Sequence, residues 1–230
     1  AIIPARGGSK RIPKKNIKSF LGKPIIAYSI KAALASNLFD EVIVSTDDKD
    51  IAQIAENYGA IVPFLRSRKN ADDHATLVDV LSEVLIRYRE EGRLFKYLCC
   101  ILPTAPFVSE QILQKSFKML IDNNFDSVFP VLEFSYPIQR ALQIKDDKVS
   151  MVCSEHETVR SQDLEKRFHD SGQFYWSKVS SIENDKKLFT KKSGAIVISK
   201  LEAQDIDTET DWKLAEIKYK LLLENDTSNL

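Results

Sequence analysis

The sequence predicts an α/β fold: a mostly parallel, twisted sheet flanked by helices, with a β-rich lobe inserted in its second half. Three observations predict it. Short β-type runs alternate with helical patterns through the first half of the chain. That rhythm breaks near Phe134. A sheet-like run then returns at residues 194–199. Alternating βα units give a mostly parallel sheet with helices on both faces. Ligands of such sheets bind beyond the carboxyl ends of the strands.

In chain order, the β-type runs are residues 1–4, 41–46, 61–65, 97–102 and 127–132. The first helix is expected to start with Pro24 in its opening turn and to carry an apolar stripe through Ile26, Ile30, Ala33 and Leu34. Leu77, Leu81, Val84, Leu85 and Tyr88 repeat at helical spacing and mark another helix. Residues 134–187 are polar, rich in charges and aromatics, and lack clean βα alternation. They read as an inserted β-rich lobe of one domain spanning 1–230. A last helix begins near Glu209, where Thr208-Glu209-Thr210-Asp211 resembles a capping box with Asp in the Glu position. The chain opens directly on a strand-like run, so a few native residues are expected to precede Ala1.

At 230 residues the chain is long enough for one sizeable core. Lys+Arg and Asp+Glu are 33 each, which argues against a dedicated nucleic-acid binder. The cations are segregated, however. Arg6, Lys10, Arg11, Lys14, Lys15, Lys18, Lys23 and Lys31 all precede Asp40, the first acid. A neutral protein with such a stretch aims it at an anion. Cys99, Cys100 and Cys153 have no metal-like spacing. The adjacent pair would point to opposite faces of a strand, as small core residues of a reduced, cytoplasmic protein. No apolar stretch is long enough to span a membrane.

The first strand runs into Pro4-Ala5-Arg6-Gly7-Gly8-Ser9-Lys10-Arg11-Ile12-Pro13-Lys14-Lys15-Asn16. Two glycines after a strand let backbone N–H groups approach a ligand, and several such groups make an anion-binding concavity. Cations on the same loop can neutralise a polyphosphate. The alternative is a solvated basic loop. Neither the Walker pattern nor G-x-G-x-x-G is present. Near the other end, Asp205 and Asp207 flank Ile206. In extended chain they project to one side, where they could hold a hard divalent cation or simply lie solvated near a helix start. Asp47 and Asp48 follow the second strand, and Asp48 is also placed to cap a helix beginning near Lys49.

The run from Ile3 to Lys10, continued by Ile12-Pro13-Lys14-Lys15-Asn16, resembles the signature loop of the CMP-sialic acid synthetases (acylneuraminate cytidylyltransferases). Within that group it is most similar to the pseudaminic acid cytidylyltransferases. The resemblance extends to Ser45-Thr46-Asp47-Asp48, Ala71-Asp72-Asp73, Pro103-Thr104-Ala105-Pro106 and Asp205-Ile206-Asp207. It implies a Rossmann-like nucleotidyltransferase fold, CTP as donor, a divalent metal such as Mg²⁺, and a homodimer built through the inserted lobe. The implied reaction is attack of the anomeric hydroxyl of a nonulosonic acid on the α-phosphorus of CTP, with loss of pyrophosphate. By this resemblance Arg6 and Lys15 are catalytic. Ala5, Arg6, Gly7, Gly8, Ser9, Lys15, Asn16 and Arg66 surround the nucleotide, and Asp205 and Asp207 bind the metal. Arg160 matches a sugar-side arginine, and Gln162, Gln173 and Tyr175 lie in the same lobe as candidate sugar contacts. Packing is the alternative for most of Phe174-Tyr175-Trp176. The chain departs from the sialic pattern at Arg11, which replaces a Gly, and at Leu102, which replaces a Gln near the sugar. Residues 170–176 replace an Asn-Gly segment. These departures favour pseudaminic acid over N-acetylneuraminate, with legionaminate, Kdo-like acids and a catalytically silent nucleotide-binding subunit as the other readings.

Overall fold

A computed structural model describes residues 1–228. In chain order the strands and helices are β1 (Ile2–Pro4), β2 (Ser19–Phe20), β3 (Lys23–Pro24), α1 (Ile26–Ser36), β4 (Ile43–Ser45), α2 (Lys49–Asn57), α3 (Leu77–Glu90), β5 (Tyr97–Ile101), α4 (Glu110–Asp122), β6 (Ser127–Glu133), β7 (Leu142–Lys145), β8 (Lys148–Met151), β9 (Phe168–Asp170), β10 (Phe174–Lys178), β11 (Ser193–Val197) and α5 (Glu209–Ser228). The main sheet runs β11-β6-β10-β5-β1-β4, with β9 also paired to β6. β4, β1 and β5 are mutually parallel, and β11 is parallel to β6. β10 lies antiparallel between β5 and β6. The expected α/β architecture is therefore present, with β10 and the short β9 running against the other strands of the sheet.

The sheet is buried on both faces. Ile3, Val44, Cys99, Ile101 and Trp176 pack into one apolar cluster. Ile2, Ile43, Leu98, Cys100 and Tyr175 pack into the other. Cys99 and Cys100 thus face opposite sides, as adjacent strand residues must. Burial pushes the Cys100 thiol up to about 12. A third cluster joins Ile12, Phe20 and Ile25 to Ile206, Trp212 and Ala215, which seats α5 against the β2–β3 turn.

Local chemistry fixes most helix starts. Asp48 caps α2 by accepting the N–H groups of Asp50 and Ile51. Thr76 and Asp79 form a capping box on α3. Thr208 and Asp211 exchange side chain–backbone bonds at the start of α5, so Asp does substitute for Glu there. Two expectations are corrected. Pro24 is not in a helical turn: it pairs with Ser19 in β3, and α1 begins at Ile26. Residues 61–65 do not form a strand. Ile61 makes one bridge to Ile43, and Pro63, which lacks an N–H, follows two residues later.

The stretch expected as an inserted lobe divides in two. β9 and β10 belong to the main sheet. Residues 134–167 leave it and carry the separate β7–β8 hairpin. Its two-residue turn, Asp146-Asp147, has φ of +49° and +60°, the left-handed conformation that matches strand twist. Leu142, Ile144 and Val149 are all exposed there.

Candidate active site

β1, β4 and β5 end at the same edge of the sheet, where the segments leaving β1 and β5 and the stretch leading into α3 line a cleft of about 510 Å³. Its walls include Arg6, Ser9, Lys10, Arg11, Lys15 and Asn16 from the first loop, Arg66 and residues 70–77 ahead of α3, and Leu102, Pro103 and Thr104 after β5. The location is the one that parallel sheets favour.

The loop is tethered at several points. The Ala5 N–H donates to the Ser45 carbonyl at 2.9 Å. The Gly7 N–H donates to Asp47 Oδ1 at 3.0 Å. Gly7 is also pressed against Asp48: an added Cβ would lie 2.6 Å from its Oδ2. Gly8 differs, because a Cβ there would meet nothing within 4 Å. The Asn16 amide donates to the Arg6 carbonyl at 2.9 Å from a buried position, which braces the loop from beneath. Arg66 is buried, with Nε on Ser45 Oγ at 3.0 Å and Nη2 on the Ser45 carbonyl. Burial holds its guanidinium below the ordinary value, against the pull of Asp47 and Glu83.

The acid pair meets this loop through Lys15. Ile206 is buried in the third cluster, worth about 2 kcal/mol, and turns Asp205 and Asp207 outward on either side. Lys15 Nζ donates to the Ile206 carbonyl at 2.7 Å and lies 3.6 Å from Asp207 Oδ1. Arg11 pairs with the same oxygen at 2.7 Å. The Asp205 carboxyl keeps solvent contact yet sits above its ordinary range, first through lost hydration and second through the like charge of Asp207. Among the described residues no third His, Cys or carboxylate joins them in a metal-sized cluster. Two hard carboxylate oxygen donors of like charge would suit a hard cation such as Mg²⁺, which prefers oxygen ligands.

The candidate sugar contacts fall elsewhere. The Gln173 side chain is buried and donates to the Glu202 carbonyl at 2.5 Å. Tyr175 is buried in the sheet with its hydroxyl donating to Asp170 at 2.5 Å, and burial with that carboxylate raises its pKa. Phe174 and Trp176 are core residues. Arg160 and Gln162 lie in the projecting segment outside the cleft, and Arg160 is 3.9 Å from Asp163. Sequence reading left Asp72 and Asp73 out of the site, although it noted their motif. Both line the cleft, and Asp73 pairs with Arg6 and Lys10. Those cations, together with a hydrogen bond from each, hold the Asp73 carboxyl below its ordinary value.

A family model described as "Cytidylyltransferase" matches residues 1–217. A pseudaminic acid cytidylyltransferase of Campylobacter jejuni subsp. jejuni serotype O:2 is 41% identical over 221 residues, covering 96% of this chain and 95% of that protein. A CMP-N,N'-diacetyllegionaminic acid synthase of Legionella pneumophila subsp. pneumophila is 31% identical, covering 94% of each. Among solved structures, a CMP:2-keto-3-deoxy-manno-octonic acid synthetase complexed with CTP superposes with a TM-score of 0.68 over 97% of this chain and 98% of that one. At 17% identity that likeness speaks to the fold.

Proposed function

The chain belongs to the cytidylyltransferase family, as a CTP-using nucleotidyltransferase, and from that premise we propose that it joins CMP to the anomeric hydroxyl of pseudaminic acid and releases pyrophosphate. The observation that carries this reading is the 41% identity to a pseudaminic acid cytidylyltransferase across almost the full length of both chains. The cleft supports it with a Gly-Gly loop, four loop cations (Arg6, Lys10, Arg11 and Lys15) and a buried arginine at the carboxyl edge of the sheet.

In this reading the chain's own groups align the reactants and stabilise charge. Arg6 and Lys15 offset negative charge that builds on the α-phosphate and on pyrophosphate. Ser9 and the backbone of Ala5, Gly7 and Gly8 approach the phosphates, and the open space at Gly8 leaves room for a close ligand. Arg66, immobilised on Ser45, faces the base. Asp205 and Asp207 would hold the divalent cation. When bound, that ion supplies charge neutralisation and activation of the attacking hydroxyl. Lys15 bridges the two halves of the site by touching both the loop and the acid-bearing segment.

On the acceptor side, Leu102 gives the cleft an apolar wall that suits an apolar sugar substituent. Arg160 supplies the counter-charge for the sugar carboxylate, and Gln162 lies beside it. Both sit on the projecting segment, so the acting unit in this proposal is a homodimer built through residues 134–167. The exposed apolar hairpin supports that arrangement. No helix of the described residues is long and apolar enough to cross a membrane. Three free cysteines fit a reduced compartment that contains CTP, the cytoplasm. The test is pyrophosphate release from CTP and a divalent cation with a panel of nonulosonic acids. Release with pseudaminic acid is expected; no release with any acid would overturn the reading.

A further inference from the structure

The Arg6 guanidinium is held from outside the loop that carries it. Its Nη1 donates to Asp73 Oδ1 at 2.7 Å and to the Asp72 carbonyl at 3.0 Å. Lys10 Nζ meets the other oxygen of the same Asp73 carboxylate. These contacts cross the cleft, from the Gly-Gly loop to the segment ahead of α3. That segment is itself fixed. Asp72 Oδ1 accepts the N–H groups of His74 and Ala75, each at 2.8 Å. The Thr76–Asp79 capping box follows at once and ties the turn to the helix. The position of Asp73 is thus set by the start of α3.

Both Arg6 bonds leave from Nη1, so the edge formed by Nε and Nη2 is not used by this clamp. A guanidinium with one arm tied and its other edge open is preorganised for bidentate contact with a phosphate. We propose that Asp73 is a positioning residue, which clamps Arg6 across the cleft and aims its free edge at the polyphosphate of the nucleotide. The inference rests on reading this cleft as the CTP site. A carboxylate among cations has a rival effect, because it also competes with phosphate for them. The two effects have opposite signs. Removing a competitor tightens anion binding. Removing a clamp frees a long, rotamer-rich side chain and weakens binding, even though the site becomes more positive.

The experiment is calorimetric binding of CTP, and separately of pyrophosphate, to wild type, Asp73→Asn, Asp73→Glu, Arg6→Ala and the Arg6→Ala/Asp73→Asn double variant. The Asp73 side chain is 42% exposed, so the fold does not depend on it. Asp73→Asn is expected to weaken CTP binding about tenfold, and Asp73→Glu to recover part of the loss. In the Arg6→Ala background, Asp73→Asn is expected to add nothing, because the two residues act as one unit. A merely structural role would persist in that background. Unchanged or tighter binding by Asp73→Asn, or an undiminished loss in the Arg6→Ala background, would overturn the inference alone. Failure of the wild type to bind CTP would instead overturn the reading of the cleft, and the inference with it.

Discussion

The cleft edge of the sheet and the projecting segment 134–167 are built in opposite ways. At the cleft, key polar groups have internal partners: Asn16 holds the loop backbone, Ser45 holds Arg66, and Asp73 holds one arm of Arg6. In the projecting segment, Ile144 is 75% exposed and Leu142 61%, on a hairpin that pairs with no other strand. The difference teaches that the nucleotide side of the proposed reaction is organised within one chain. The acceptor side, as proposed, would use Arg160 and Gln162, which their own chain leaves outside the cleft.

The sharpest way to break this contrast is at the loop. Arg6→Ala and Lys15→Ala are each expected to cut kcat by about 10²–10³, the usual cost of one preorganised charge contact. Circular dichroism is expected to stay unchanged. Steady-state rates near wild type in either variant would remove the loop from the mechanism.

A second test acts on the projecting segment alone. Ile144→Lys together with Val149→Lys places two charges on cross-strand neighbours of the hairpin. If this face meets a second copy, the dimer dissociation constant rises at least about 30-fold. CTP binding is expected to stay as it was, and the KM for the sugar to rise. Sedimentation of the unaltered protein as a monomer at micromolar concentration would contradict the dimer.

The two glycines sharpen the picture of the cleft. Gly8→Ala meets open space and is expected to leave the melting temperature unchanged while raising the KM for CTP about tenfold, because the backbone there approaches a ligand. Gly7→Ala collides with Asp48 and is expected to lower stability even without nucleotide. Equal effects of the two on stability would refute that distinction.

The smallest effect concerns Asp205. Its carboxyl is raised in the folded chain, so ionising it costs the folded state. That cost is absent below the unfolded-state value and fully present above the folded one. Asp205→Asn is therefore expected to raise the melting temperature slightly at pH 7, with the gain closing as pH falls through the carboxylate range. Activity is expected to drop at the same time, a trade typical of functional acids. A destabilised Asp205→Asn at pH 7 would contradict the cost that lost hydration and the nearby Asp207 charge place on the ionised carboxyl.

Much of this was legible before any coordinates. Apolar β-runs and the Gly-Gly loop located the sheet edge and the cleft, because a parallel sheet leaves little choice of binding edge. Alternation predicted that Asp205 and Asp207 would flank an inward Ile206, and Ile206 is buried between them. Gln173 and Tyr175 were expected as sugar contacts, and the structure buries both, bonded to Glu202 and Asp170. Their segment looked polar and irregular, but β10 inserts antiparallel into the main sheet, a long-range pairing with no local signature. Residues 61–65 extend no ladder beyond the single bridge from Ile61 to Ile43, and Pro63 has no N–H to continue it. Asp73 could not be placed from sequence, because the pairing of an exposed acid with loop cations across a cleft has no local signature.

The central claim, that the acceptor is pseudaminic acid, is tested most directly by competition. Pseudaminic acid and N-acetylneuraminic acid share a carboxylate, so Arg160 cannot separate them. Leu102 lines the cleft and offers no side-chain hydrogen bond. A polar sugar group held against it loses about 1–3 kcal/mol, roughly one to two orders of magnitude in specificity. With CTP limiting and both acids present, the account predicts that kcat/KM for pseudaminic acid exceeds that for N-acetylneuraminic acid by that margin. Equal use, or preference for N-acetylneuraminic acid, would contradict it.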